Sequence, residues 1–225
     1  MDAKRRVIRA AAAVILAVLL PANAAMAGKG KIPNLGSEWW QWVLSIPSSV
    51  NPLLDANGDN CGVGQHGAAW FLAGSWVGPV TRDCDVPHGV PLFFPVINDV
   101  NFDTPNQCGQ TGPLPSGFYR GLSKAYIDGA ANLSVVLDGK PVSMTRMQSK
   151  VFQLALPVDN VFVSAGICAD LADGVYSPAV DDGFYVQLNG LTVGAHLLVV
   201  HAENPSQGAT LDMTYNLNVV PVVTQ

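Results

Sequence analysis

Alternation of apolar and polar residues dominates the second half of the chain. In residues 211–220, Leu211, Met213, Tyr215, Leu217 and Val219 occupy one set of alternate positions, and Asp212, Thr214, Asn216 and Asn218 the other. Successive side chains of a strand point to opposite faces, so this segment predicts a strand with one side in a core and one in water. Apolar runs of strand length recur at 133–137, 140–144, 152–156, 161–165, 184–188 and 195–202. Asp138-Gly139 separates the first two runs. A type I′ turn needs positive φ at both central positions and favours that dipeptide, so the pair predicts a hairpin.

The first half has a different texture, rich in Gly, Pro and aromatic residues. Ser37 is placed to cap a helix over 38–46 that Pro47 ends, with Trp39, Trp42, Val43 and Ile46 on one face. Trp40 falls off that stripe and is expected to be exposed. Turn-forming residues fill 51–67, and runs at 68–73 and 90–97 predict buried strands. Pro91 and Pro95 lack the N–H a ladder requires, which predicts an edge strand or a partly irregular extended segment for the second run. A Gly/Pro/Asn-rich loop spans 101–117, and a further helix is predicted over 118–130, with Phe118, Leu122 and Tyr126 four residues apart. Many short strands with Gly-rich turns predict a mainly β fold: a two-sheet antiparallel sandwich, immunoglobulin-like or jelly-roll, with one or two short helices.

The first residues alter where this fold is expected to reside. Lys4, Arg5, Arg6 and Arg9 precede an apolar run at 10–20, and Ala25-Met26-Ala27 forms a small-x-small cleavage site. This pattern predicts a signal peptide over 1–27, followed by one β-rich domain over 28–225 in the periplasm or medium. The apolar run is too short to span a bilayer as an ordinary helix, and no transmembrane span is expected after cleavage. The leader carries four of the 12 Lys and Arg and one of the 17 Asp and Glu, leaving 8 against 16. An acidic chain without a basic cluster is not suited to nucleic acid. Cys61, Cys84, Cys108 and Cys168 are an even set in an exported chain, and their wide spacing suits two disulfides rather than a metal site. Three pairings are open; Cys61 with Cys84 closes the shortest first loop.

Several motifs together resemble a family of exported bacterial proteins. They are Trp39-Trp40-Gln41-Trp42 with Ile46-Pro47, Asn51-Pro52-Leu53-Leu54-Asp55, Trp70-Phe71-Leu72-Ala73-Gly74, and Phe93-Phe94-Pro95-Val96-Ile97-Asn98. Asp182-Gly183, His196 and Tyr215-x-Leu217-x-Val219 extend the resemblance over most of the mature chain. It implies export and a β-rich fold, and it brings no activity.

Candidate chemistry is scattered. Asp55, Asn57 and Asp59 alternate as oxygen ligands do at the start of a calcium loop, although Asn60 and His66 stand where that motif needs Gly and Glu. His196 and His201, an odd number apart on one strand, point to opposite faces, whereas His201 and Glu203 share a face and can form an acid/base pair. Glu38 beside the tryptophans is a further candidate acid for sugar hydrolysis. Trp40, Trp70 and Trp76 are candidates for a platform under a sugar ring or other apolar ligand. The reading expected from these features is an exported, noncatalytic β-sandwich that binds a carbohydrate or envelope component. A secreted polysaccharide hydrolase and a calcium-binding protein are the alternatives.

Overall fold

A computed structural model describes residues 35–222, in which ten strands form two mixed sheets. Sheet A contains β1 (Trp70–Phe71), β3 (Leu92–Phe102), β6 (Thr145–Gln148), β7 (Phe152–Leu156) and β8 (Gly174–Leu188). β3 lies between β1 and β8, and β6 and β7 share the other edge of β8. Sheet B has the order β2 (Val80–Pro87), β10 (Ala209–Val220), β9 (Gly194–Asn204), β4 (Ala131–Leu137) and β5 (Lys140–Pro141). The expected two-sheet, mainly β architecture is present, but the sheets are not purely antiparallel. β1 runs parallel to β3, and β2 runs parallel to β10. A parallel pair requires a long crossover, and almost the whole intervening chain connects β2 to β10.

The alternation predicted for the last strand is the packing observed. Met213, Tyr215, Leu217 and Val219 are buried, and they join Val200, Leu198 and Val86 of sheet B against Phe94, Val186 and Leu188 of sheet A. The opposite face of sheet A is also covered, by α1 (Leu35–Leu44), the segment 46–76 and α3 (Val161–Ser164), through Trp39, Trp42, Phe71, Phe93 and Tyr185. Burial on both faces accounts for the unbroken apolar run in β3. The hairpin at Asp138-Gly139 forms with φ of 50° and 76°, both positive as a type I′ turn requires. Pro95 stands beyond the short β1, where β3 has no strand on that side, and the register slips between Pro95 and Ile97.

Other expectations are corrected. The signal peptide expected over 1–27 lies outside the described residues. α1 starts at Leu35, so Ser37 is a buried helical residue rather than its cap. Trp40 is 3% exposed, and its indole donates to Asp181 Oδ1 at 3.2 Å. α1 is embedded against β3, β7 and β8, so more than one stripe of it is covered. α2 (Ser116–Asp128) buries Tyr119, Ser123 and Ile127 and exposes Phe118 and Leu122, a face one residue along from the predicted one. Residues 161–164 form the short helix α3 rather than a strand, because Asn160 Oδ1 accepts from the Val163 amide and its Nδ2 holds the Leu171 carbonyl. The two expected disulfides are present, and of the three open pairings the chain adopts Cys61–Cys84, the shortest first loop, with Cys108–Cys168, closing loops of 23 and 60 residues. In the chain-entropy model such bridges stabilise by about 3 and about 4 kcal/mol.

Two buried polar groups join the layers. Arg82, on the inner face of β2 and 1% exposed, donates from Nε to the Asp55 carbonyl at 2.8 Å. Its Nη1 reaches the carbonyls of Ala73 and Gly74, both at 3.0 Å, and the Tyr215 hydroxyl at 2.7 Å. In sheet A, Asp182 is held by Arg146 at 2.9 and 2.8 Å and by Gln148 at 2.8 Å. Its neighbour Asp181 faces the other way, toward Trp40, Tyr185 and Gly36. Burial, reinforced by the negative charges of Asp182 and Asp99, pushes the Asp181 carboxyl up to about 7 against the hydrogen bonds from Tyr185 and Trp40.

Two outcomes follow from these groups. Arg82→Met leaves the Asp55 and Gly74 carbonyls without their donor and removes one of the two donors to the Ala73 carbonyl, and its denaturant midpoint is expected to fall by the equivalent of about 3 kcal/mol. For Asp181, the folded carboxyl keeps its proton to a higher pH than the unfolded one. Stability therefore declines as pH rises from the unfolded pKa, about 4, to the folded value of about 7, and is flat beyond it. Asp181→Asn is expected to flatten that part of the stability–pH curve, measured by urea unfolding across the range.

Candidate ligand-binding cleft

The loop before β2 is shaped by its own carboxylate. Asp55 Oδ1 accepts from the amides of Asn57 and Gly58 at 3.1 and 3.0 Å, and Oδ2 from that of Asn60 at 2.8 Å. Burial raises the Asp55 pKa, but these amides and the Arg82 charge outweigh it and hold the carboxyl below its ordinary value. Asn57 Nδ2 donates to Asp59 Oδ2 at 2.9 Å. The trio picked out for calcium thus forms a turn closed by its own hydrogen bonds. Among the described residues, the metal-ligating atoms of His, Cys, Asp and Glu that converge in a group of three belong to Cys108, Cys168 and Asp170, and the two sulfurs there are joined as a disulfide.

This turn lies along the free edge of β2. The Asp83 amide donates to the Asn57 carbonyl at 2.9 Å. Gly58 has φ of 101°, and a Cβ there would sit 2.4 Å from the Asp83 carbonyl oxygen, so no side chain fits. The Cys61–Cys84 bridge fastens the next residues to the same strand. The result is a wall beside sheet B and an open cleft of about 1040 Å³. Residues 83–85, 216–218 and 195–197 of β2, β10 and β9 line it, together with Gly58, Asp59, Cys61, Gly62, Trp70 and Asp138.

Parallel pairing sets the polar surface of the cleft. Asn216 lies opposite Asp83 and Asn218 opposite Asp85, all on the outward face of sheet B. Each asparagine donates to its aspartate, at 2.7 and 2.8 Å. Trp70 packs against the inter-sheet core and lines the cleft, and its indole N–H has no acceptor among the described residues. At the other side, His196 Nδ1 meets Asp138 Oδ2 at 2.7 Å and Nε2 meets the Thr192 carbonyl at 2.9 Å. Nε2 also lies 3.2 Å from the Thr192 hydroxyl, so the neutral ring can accept from the hydroxyl, and the imidazolium can donate to the carboxylate and the carbonyl. Burial opposes that charge, but the Asp138 and Thr192 bonds outweigh it and raise the His196 pKa.

The remaining candidates are dispersed. His201 lies on the opposite face of β9 from His196, as the odd spacing predicts, with Nδ1 on Asp212 Oδ1 at 2.7 Å and Nε2 3.4 Å from Glu203 Oε1. The Asp212 bond is the largest influence raising its pKa, and Glu203 adds to it. A carboxylate at each nitrogen favours the imidazolium over the neutral ring. Glu38 is exposed on α1, on the far side of sheet A, and does not meet His201 or Glu203. Trp76 packs edge-on to Phe162 at 5.5 Å and Trp40 is enclosed, so the three candidate tryptophans form no common platform; Trp70 alone lines the cleft. Asp83, Asp85, Asn216, Asn218, Asp138 and His196 are the cleft residues not singled out together from the sequence.

The two histidines contribute stability that is present below their unfolded pKa, near 6.5, and lost as pH rises through their raised folded values. In an NMR titration of the imidazole C–H signals, Asp138→Asn is expected to lower the His196 midpoint and leave that of His201 in place. An unchanged His196 midpoint contradicts the pairing.

No protein-family model matches the chain, and no curated protein matches it in sequence. Among solved structures, the solution structure of Amebosin aligns over 66% of this chain and 96% of its own at 10% identity, with a TM-score of 0.22, a likeness that carries no argument.

Proposed function

We propose that this is an exported, noncatalytic binding protein whose cleft over sheet B holds a carbohydrate of the cell envelope or its surroundings. The observation that carries the reading is that one open cleft is lined both by Trp70 and by the two cross-strand pairs Asn216–Asp83 and Asn218–Asp85. Each pair uses one amide hydrogen and one carboxylate oxygen on itself. The second carboxylate oxygen, the amide oxygen and the second amide hydrogen remain as hydrogen-bonding capacity suited to sugar hydroxyls. An indole face supplies the apolar contact a pyranose ring needs. Two disulfides and the basic-apolar leader support a place in an oxidising compartment outside the cytoplasm. None of the described helices is long and apolar enough to cross a membrane.

Binding without cleavage is favoured by the state of the acids. A glycosidase needs one carboxyl kept protonated and a second ionised across the scissile bond. Asp99 and Asp181, whose pKa values burial raises, belong to sheet A and do not line the cleft. Asp138, in the cleft, is pushed up by burial but more strongly down by His196 and the Leu197 amide.

A panel of oligosaccharides titrated against the purified mature chain, with tryptophan fluorescence and product analysis read together, tests this. At least one glycan is expected to shift the emission without yielding new reducing ends, and Asp83→Ala/Asp85→Ala is expected to weaken it about tenfold or more. Release of product would replace the reading with a hydrolase, and an unaffected double variant would place the site elsewhere.

A further inference from the structure

The cleft has a charge character that its role as a sugar site does not by itself require. Asp59, Asp83, Asp85 and Asp138 line it, and among the described residues no Lys or Arg does. His196 is paired with Asp138, which leaves three aspartates without a basic partner among the described lining residues. The surroundings do not correct this. Of the six arginines and lysines in residues 35–222, Arg82 is buried beneath β2, Arg146 and Lys124 are engaged with Asp182 and Asp128, and Arg120 on α2 and Lys150 after β6 do not line the cleft. Lys140 stands by the hairpin turn, where it acts on Asp138. β2, β10 and β9 present Asp83, Asp85, Asp212 and Glu203 and no Lys or Arg on their outward faces; Asp212 and Glu203 flank His201, and Asp83 and Asp85 have no basic partner among the described residues.

We infer that the cleft selects amino sugars, oligosaccharides whose units carry free primary ammonium groups, over their N-acetylated counterparts. The inference rests on the carbohydrate reading above and names the substrate class of the same cleft. Asp83 and Asp85 are two residues apart on one face of a strand, which sets their side chains about 7 Å apart along β2. Each has one oxygen engaged by its asparagine, at 2.7 and 2.8 Å, and a second that can accept from an ammonium N–H. Acetylation removes the positive charge and two of its three donors, whereas the ring face that Trp70 contacts is unchanged. Discrimination therefore resides in the aspartate row and general sugar affinity in the tryptophan and the amides. An anionic glycan is disfavoured by the same row.

Calorimetric titration of the mature chain with a glucosamine tetramer and with its fully N-acetylated form, at low and high salt, tests the inference. At low salt the amine form is expected to bind about tenfold more tightly or better, with the gap narrowing at high salt. Asp83→Asn/Asp85→Asn, which keeps size and hydrogen-bonding groups, is expected to close the gap and leave the acetylated form bound as before; a melting curve confirms that the variant is folded. Equal or tighter binding of the acetylated tetramer overturns the amino-sugar assignment and leaves the carbohydrate reading standing. Displacement of the tetramer by spermidine at equal concentration also overturns it, since charge alone would then suffice. If neither tetramer nor any other glycan binds, both readings fail.

Discussion

The buried guanidinium of Arg82 is the constraint on which the rest of the structure depends. It enters the core from β2 and gathers the Asp55, Ala73 and Gly74 carbonyls and the Tyr215 hydroxyl. Those partners come from a turn, an irregular stretch and the last strand, none of which shares a regular hydrogen-bond ladder with the others except β2 with β10. Tyr215 also donates to the Ala73 carbonyl, so the same oxygen is held from two directions. A buried charge is costly unless it is hydrogen-bonded, and here Nε and Nη1 hold four partners while Nη2 has none among the described residues. The aperiodic segment 51–76 is thereby fixed against sheet B at one end and against the aromatic core of sheet A at the other.

This arrangement gives the molecule an unequal pair of sheets. Sheet A is covered twice, by sheet B on one face and by α1, α3 and the aromatic segment on the other. It contains the buried acids Asp181 and Asp182; Trp40 of α1 bonds the first, and Arg146, which bonds the second, also reaches Asp128 of α2. Sheet B keeps an outward face, and the 58–62 loop raised along β2 turns part of that face into a cleft. The side of the molecule with the most aromatic area is therefore structural. Only the tryptophan at the margin between the two cores, Trp70, reaches the cleft.

How much of this was legible in the chain depended on whether neighbours in sequence or neighbours in space carried the information. The last strand and the Asp138-Gly139 hairpin were readable because alternation and turn chemistry are local. β2 has equally strict alternation, but Arg82 occupies an inward position and disguises the period. Asp181-Asp182-Gly183 has the composition of a turn yet lies in the middle of a strand of 15 residues, because Arg146, Gln148, Trp40 and Tyr185 satisfy both carboxylates. Residues 161–164 have strand composition, and a single asparagine cap overrode it. In the cleft, Asp59 and Trp70 could be named one by one. The pairs Asn216–Asp83 and Asn218–Asp85 span 133 residues and exist only because β10 inserts parallel to β2, a long-range pairing that no local pattern announces.

The most direct test of the account is amide and indole chemical-shift mapping of the labelled mature chain as a bound oligosaccharide is added. The predicted result is a compact set of shifts at Gly58, Asp59, the Trp70 indole, Asp83, Asp85, Asn216 and Asn218, with the Trp39, Trp40 and Trp42 indoles unmoved. Shifts centred on α1 and its tryptophans, with the Asp83–Asn216 rows silent, would contradict it.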